Sequence, residues 1–279
     1  MSGVVEDSAA ASLQEAYPGC PLCGGTSVHI GTGDCHRHRL WHEPLPRFID
    51  WMRCESCGHV HTRHYWTDAG LRELFGRAHA NQVAGGNLEQ RRQLWKPVIA
   101  QAVQALGGYA STFAGRHAAP VWLDVGCGNG LVLMLASEFG FDAVGVDRRQ
   151  QAVDALASLG YRVIQAGFLD VAMDRPAAVI SMLDVLEHMP WPARALSHAR
   201  TLLPVGGCLV LSLPNMESSS WKQLDADNAN PYWIEIEHHH NFSFTRLSRL
   251  LAEHGFEIAL FDIPSRYVAS MELYAVRKV

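Results

Sequence analysis

From Pro120 onward the chain alternates short apolar runs with stretches of helical length, and this alternation restricts its fold more than any other feature. The runs VWLDV, DAVGV, RVIQ, AVISM, CLVLSL, EIALFD and MELYAV have the length and β-branched content of strands. Between them, Leu131 to Phe139, Gln150 to Leu159, Pro192 to Leu203 and Thr245 to His254 read as helices, with Gly140, Gly160 and Gly255 placed to end three of them. Strand and helix in alternation predict a mostly parallel sheet covered on both faces. The last two runs have no helix between them, so they are expected to form an antiparallel pair at the sheet edge. The expected fold class is therefore α/β, a doubly wound sheet of about seven strands with an antiparallel last strand.

Function enters at the first turn of that sheet. Val121 to Gly130 reads VWLDVGCGNG, a buried strand running into Gly126, Gly128 and Gly130, with a helix following at once. Glycines let a backbone approach a ligand closely, and a helix start offers unpaired N–H groups. Asp147 closes the next strand, twenty-one residues after Gly126, at the distance that suits a carboxylate accepting hydrogen bonds from ribose hydroxyls. Strand, glycine loop, helix and acid together point to a Rossmann-like site for an adenosine-containing cofactor. The spacing is GxGxG and not GxGxxG, and Asp124 stands two residues ahead of the first glycine. An acid there suits a ligand that carries positive charge better than a pyrophosphate.

A second chemistry lies upstream. Cys20-Pro-Leu-Cys23 and Cys54-Glu-Ser-Cys57 each set two thiolates on one tight knuckle, and each pair precedes a glycine. Four sulfurs from two knuckles are the donor set of a closed structural zinc site. Thirty residues separate the pairs, more than the loop of a compact ribbon. Cys35, His36, His38, His59, His61 and His64 fall nearby and could enlarge or replace the site. The segment from Pro18 to Trp66, with five cysteines and seven histidines, is too small to close an apolar core and needs such a staple. Cys127 and Cys208 read as small core residues.

The second half resembles the class I S-adenosylmethionine-dependent methyltransferases. LDVGCGNG resembles their first motif, GVD at Gly145 to Asp147 the ribose motif, DVLEHMPWP at Asp184 to Pro192 the stretch after the fourth strand, and LLPVGGCLVLSLPN at Leu202 to Asn215 the turn and fifth strand. With CPLCG and CESCG upstream, the whole is similar to a bacterial group of small-molecule or sugar-type methyltransferases that carry an amino-terminal zinc element. The long sugar C-methyltransferases of that kind have a further carboxy-terminal domain with no counterpart in this sequence. The resemblance implies contacts to the methionyl end from Asp124, Gly126, Gly128 and Gly130, with Asn129 in the same loop. It implies ribose binding by Asp147, and an adenine border formed by Gly167, Phe168 and Leu183.

For the acceptor the sequence offers two histidines. His188 follows Glu187 at the C-terminal edge of the sheet, where open α/β folds bind ligands, and the alternative is a pair that satisfies a helix start. His238 follows Glu237 in a stretch, EHHHNFSF, that resembles the EH…FS element of the same group; it either faces the acceptor or helps order a lid. Either histidine could serve as base for a hydroxyl acceptor. An insertion at 216–237, with Trp221, Tyr232 and Trp233, is long enough for that lid.

The organisation expected is a flexible tail over 1–17, a zinc-binding ribbon over 18–66, a helical linker or cover over 67–118, and the methyltransferase domain over 119–279. A formal charge of −5 excludes a basic coat for nucleic acid, and the ribbon segment, with five Lys+Arg against four Asp+Glu, is too balanced for a strong phosphate grip. No run is long enough to span a membrane, and with no secretory signal a cytoplasmic location is expected. The leading expectation is methyl transfer to a small-molecule or sugar-like acceptor at oxygen. The alternatives are an RNA base methyltransferase guided by the ribbon, and a non-catalytic S-adenosylmethionine-binding partner protein.

Overall fold

The structure, a computed structural model, describes residues 12–76, 83–115 and 117–279. The amino-terminal segment gathers its apolar side chains against the rest of the chain. Strand β1 (Gln14–Ala16) pairs with β5 (His64–Trp66), while β2 (Ser27–Asp34), β3 (Phe48–Cys54) and β4 (Val60–Thr62) form an antiparallel meander. Gln14–Ala16 thus belong to a sheet and not to the expected tail, whose residues 1–11 lie outside the described residues.

Three helices follow: α1 (Asp68–Gly76), α2 (Leu88–Ala105) and α3 (Tyr109–Phe113). Part of the expected linker, residues 77–82 and Arg116, lies outside the described residues. Helix α2 is a covering layer. Its buried face, Trp95, Val98, Ile99, Ala102 and Val103, packs in one cluster with Trp122, Val179, Val210 and Tyr274 of the sheet. Pro97 sits in its interior.

The expected alternation then appears almost residue for residue: β6 (Val121–Val125), α4 (Leu131–Phe139), β7 (Asp142–Asp147), α5 (Gln150–Ser158), β8 (Arg162–Gln165), β9 (Ala177–Leu183), α6 (Pro192–Leu202), β10 (Cys208–Pro214), α7 (Ser219–Ala226), β11 (His240–Asn241), α8 (Phe244–Glu253), β12 (Phe256–Asp262) and β13 (Ser270–Arg277). The seven-stranded sheet runs β12-β13-β10-β9-β6-β7-β8, and only β13 is antiparallel to its neighbours. The last strand is inserted, with β12 outside it. Burial follows this order: six residues of β13 are buried in succession, whereas β12 alternates buried or half-buried with exposed, the pattern of an edge.

Two features tie the ribbon to this sheet. Strand β11 pairs with β4, His240 opposite His61, so the ribbon sheet is completed by residues from the expected methyltransferase domain. The indoles of Trp51 and Trp66, both almost wholly buried, donate hydrogen bonds of 2.9 Å to the carbonyls of Trp233 and Ile236. The boundary between 18–66 and 119–279 is thus crossed by a shared sheet. The insertion at 216–237 is packed in the same way. Trp221 is buried and stacked on Tyr232 at 5.0 Å, and Trp233 meets Trp51 edge-on at 5.5 Å.

At the start of α4, Gly130 has φ 79°, and a Cβ there would lie 2.3 Å from Cδ2 of Leu156. Gly160 has φ 86° with open space around it. Gly160→Ala is expected to cost about 1 kcal/mol from backbone strain alone, and Gly130→Ala about 2–4 kcal/mol because overpacking is added; urea unfolding of both variants measures the difference.

Candidate active site

At the C-terminal ends of β6, β7 and β9, the loops leave a cavity of about 1080 Å³, at the position where open α/β sheets bind ligands. The glycine loop, Asp147, Glu187, His188 and His238 all line it, and Arg39, Trp66 and Phe75 bring the ribbon and α1 against it. Asp124, Gly126, Gly128, Asn129, Asp147, Phe168 and Leu183, all expected from sequence, lie on its wall. Gly130 and Gly167 do not line it; Gly130 is buried beneath the loop against Leu156. The left-handed backbone of Gly130 lets α4 start there.

Strand pairing positions the first acid. Asp124 on β6 stands opposite Ser181 on β9, and Ser181 Oγ donates to Asp124 Oδ1 at 2.6 Å while accepting from Trp122 Nε1 at 2.8 Å. Burial pushes the Asp124 carboxyl up to about 7, with the Ser181 bond pulling the other way and Asp147 adding to the rise. A buried acid with this little compensation favours a cation in front of it. The loop itself leaves no room for side chains: Gly126 has φ 67°, and a Cβ on it would lie 2.7 Å from Val185 Cγ2.

Asp147 accepts from the backbone N–H of Gly128 at 3.0 Å and of Arg149 at 2.9 Å. The Arg149 guanidinium also bonds it at 3.0 Å, so a ligand diol would meet a carboxylate whose loop is already ordered around it. Phe168 is buried and edge-on to His198 at 5.0 Å.

The two candidate histidines come together. Their rings lie 4.8 Å apart, nearly perpendicular, although fifty residues of sequence separate them. Burial holds His188 below the usual imidazole range despite Glu237 nearby, and holds His238 far below it, helped by His188 and the other histidines around it. Both imidazoles are therefore neutral at physiological pH, each with a lone pair to offer. The rest of the triple does other work: the N–H of His239 bonds the carbonyl of Glu187 at 2.8 Å, and His240 joins His59 at 3.0 Å beneath the ribbon.

The cysteine pairs form a separate cluster. Cys20 Sγ is 3.7 Å from Cys57 Sγ, Cys23 Sγ is 3.4 Å from Cys54 Sγ, and all four lie within 4.8 Å of one another. These gaps are far beyond a disulfide's roughly 2.05 Å. They match sulfurs at about 2.3 Å from a tetrahedral centre, which stand about 3.8 Å apart. Gly24 and Gly58, both at φ 72°, close the two knuckles, and Gly24 and Gly58 N–H bond the carbonyls of Cys20 and Cys54. The β2–β3 hairpin and its connection fill the long interval between the pairs. Among the described residues, Cys35, His36, His38, His59, His61 and His64 are not members of this cluster.

Several wall residues had no signal in the sequence. Arg39, Asp68, Arg72 and Phe75 reach the cavity only because the ribbon and α1 fold over it. His38, 2.8 Å from Glu235 and 3.4 Å from Glu237, ties the ribbon to the insertion in the same way, and burial is outweighed by these acids, which raise its affinity for a proton. Ser181 could be found only once the strand register was known.

Comparison with known proteins agrees with this geometry. The family described as "Methyltransferase domain" matches residues 88–260, more than half of the chain. The ubiquinone biosynthesis O-methyltransferase of Methylococcus capsulatus is 28% identical over 127 residues, covering 43% of this chain and 50% of that protein. That of Colwellia psychrerythraea is 28% identical over 148 residues, covering 48% and 59%. The chain spans about half the length of the curated relatives it matches. Among solved structures, magnesium protoporphyrin IX methyltransferase from Synechocystis with bound S-adenosylmethionine superposes with a TM-score of 0.52 at 18% identity, over 75% of this chain and 95% of that one. A methyltransferase from Clostridium acetobutylicum gives 0.51 at 10% identity, over 76% and 98%. The chain belongs to the methyltransferase domain family.

Proposed function

We propose that this chain transfers a methyl group to an oxygen of a small-molecule, sugar-like acceptor, and that its four cysteines hold a structural zinc. The observation that carries the first part is one cavity lined both by a buried acid with its glycine loop and by two neutral imidazoles. Relatives named as O-methyltransferases support the choice of oxygen. A small acceptor is favoured over RNA because ribbon, α1 and insertion all close over the acceptor end, and because the chain's net charge is negative. Among the described residues no helix is long and apolar enough to cross a membrane.

In this reading S-adenosylmethionine, when bound, supplies a methyl group on a positively charged sulfur. Asp124 faces the cationic methionyl end, and Asp147 receives the ribose hydroxyls. Gly126, Gly128 and Asn129 bring the loop against the ligand, while Phe168 and Leu183 border the adenine. His188 and His238 face the acceptor, whose hydroxyl proton leaves at this pair as the oxygen attacks in line. Tyr232, on the cavity wall and bonded through its hydroxyl to the Val268 carbonyl, holds the insertion over that end. The zinc is structural because four thiolates leave it no open position; it would fix the ribbon that supplies Arg39 and the support for the insertion.

Calorimetric titration with S-adenosylmethionine tests the cofactor end. Binding is expected in the micromolar range, with Asp147→Ala weakening it at least tenfold. Only the ionised Asp124 attracts the cation. Affinity should therefore be flat above pH 8 and fall, by up to tenfold per unit, below its value of about 7. Ser181→Ala removes the bond that lowers Asp124 and should move this midpoint upward. Unchanged affinity in Asp147→Ala would contradict the assignment.

Metal analysis of the purified chain tests the zinc. About one zinc per chain should be retained through dialysis, and stripping it with a strong chelator should lower the unfolding temperature by several degrees or more. A zinc-free chain of unchanged stability would contradict it.

A further inference from the structure

The glycine loop and its acids account for one part of the cavity, and the reading above uses the histidine pair only as the place where a proton leaves. Neither accounts for Glu187. This side chain is on the cavity wall yet 1% exposed, and neither carboxylate oxygen has a hydrogen-bond partner from another residue. That state is costly in both protonation forms, since the charge lacks a counterion and the acid proton lacks an acceptor. Nδ1 of His238 is buried without a partner as well.

These unsatisfied groups converge. One oxygen of Glu187 and one ring nitrogen from each of His188 and His238 lie within 4.8 Å of one another. Ligands bound at about 2.0–2.2 Å from a single cation stand about 3 to 4 Å apart, so small side-chain rotations bring all three into range. His188 is already oriented for the purpose. Its Nδ1 lies 3.1 Å from the carbonyl of Glu237, and donating there leaves Nε2 with a free lone pair, the arrangement that outer hydrogen bonds impose on metal-binding histidines. The neighbouring cluster of His38, Glu235 and Glu237 is different in kind, because His38 is bonded to Glu235 at 2.8 Å and Arg39 reaches Glu237 at 3.6 Å. Its charges compensate one another.

We propose that Glu187, His188 and His238 hold one divalent first-row transition cation at the acceptor end of the cavity. Two imidazoles and a carboxylate suit such ions, and the set is harder than the thiolate cluster of the ribbon, so the two sites would select different metals. Three protein ligands leave positions open toward the cavity. An acceptor hydroxyl placed there would be acidified by the cation and lose its proton to water, the new O–C bond forming as the C–S bond of the donor breaks. The proposal rests on the reading of this cavity end as the acceptor site, and it makes the two histidines ligands where that reading alone would make one of them a base.

The test is titration of the full, zinc-loaded chain with Mn²⁺, following the free ion by electron paramagnetic resonance. Expected is one site per chain, weakened at least tenfold in Glu187→Gln and in His238→Gln, while both variants still bind S-adenosylmethionine and so are shown to be folded. On the wild-type chain, nitrogen couplings from two imidazoles should appear on the bound Mn²⁺. No saturable site, a site unaffected by both substitutions, or bound Mn²⁺ without nitrogen couplings would overturn the proposal. Mn²⁺ binding by a chain that fails to bind S-adenosylmethionine would uphold this site and defeat the functional reading; the converse would defeat this site alone.

Discussion

The burial of two indoles from the ribbon against the segment before β11 is the contact on which the rest of the site depends. Trp51 and Trp66 each spend their one hydrogen-bond donor on a carbonyl of residues 233–236, and the β4–β11 pairing continues the same attachment. A segment rich in cysteine and histidine has little apolar surface with which to fold alone. Leaning on the larger sheet solves that problem, and in doing so it closes the acceptor end of the cavity and orders His238. The four cysteines gather at one place in the ribbon, and the zinc proposed there would hold it as a staple.

Inside the cavity, polarity is graded. Near the glycine loop Asp147 is surrounded by donors, whereas Asp124 has one hydroxyl donor and burial raises it. Around His188 and His238 burial prevails over the nearby acids, leaving neutral imidazoles beside an unpartnered carboxyl group. A cationic donor suits the first environment. The second offers lone pairs to a proton or to a metal.

Local pattern made much of this legible. The strands and helices of the larger sheet follow from runs whose period and flanking glycines admit few alternatives, and the loop from Asp124 to Gly130 declares itself by spacing. Two kinds of fact were hidden. Gly130 reads as a ligand contact from its place in the loop, but it does not line the cavity, and its missing side chain makes room for Leu156. The wall formed by Arg39, Asp68 and Phe75 depends on how the ribbon docks, and no residue near them in sequence signals that. The order of the last two strands was not legible, since FEIALFD and SMELYAVR are similar in apolar content and differ only in burial; the missing helix said only that they pair.

The claim at the centre of this account is that donor and acceptor meet between the glycine loop and the His188–His238 pair. A crystal structure of the chain with S-adenosylhomocysteine tests it most directly. The account predicts the ribose hydroxyls on Asp147, the amino group toward Asp124 and the sulfur facing the two histidines across the cavity. Adenosine bound elsewhere, or a sulfur turned away from His188 and His238, would contradict it.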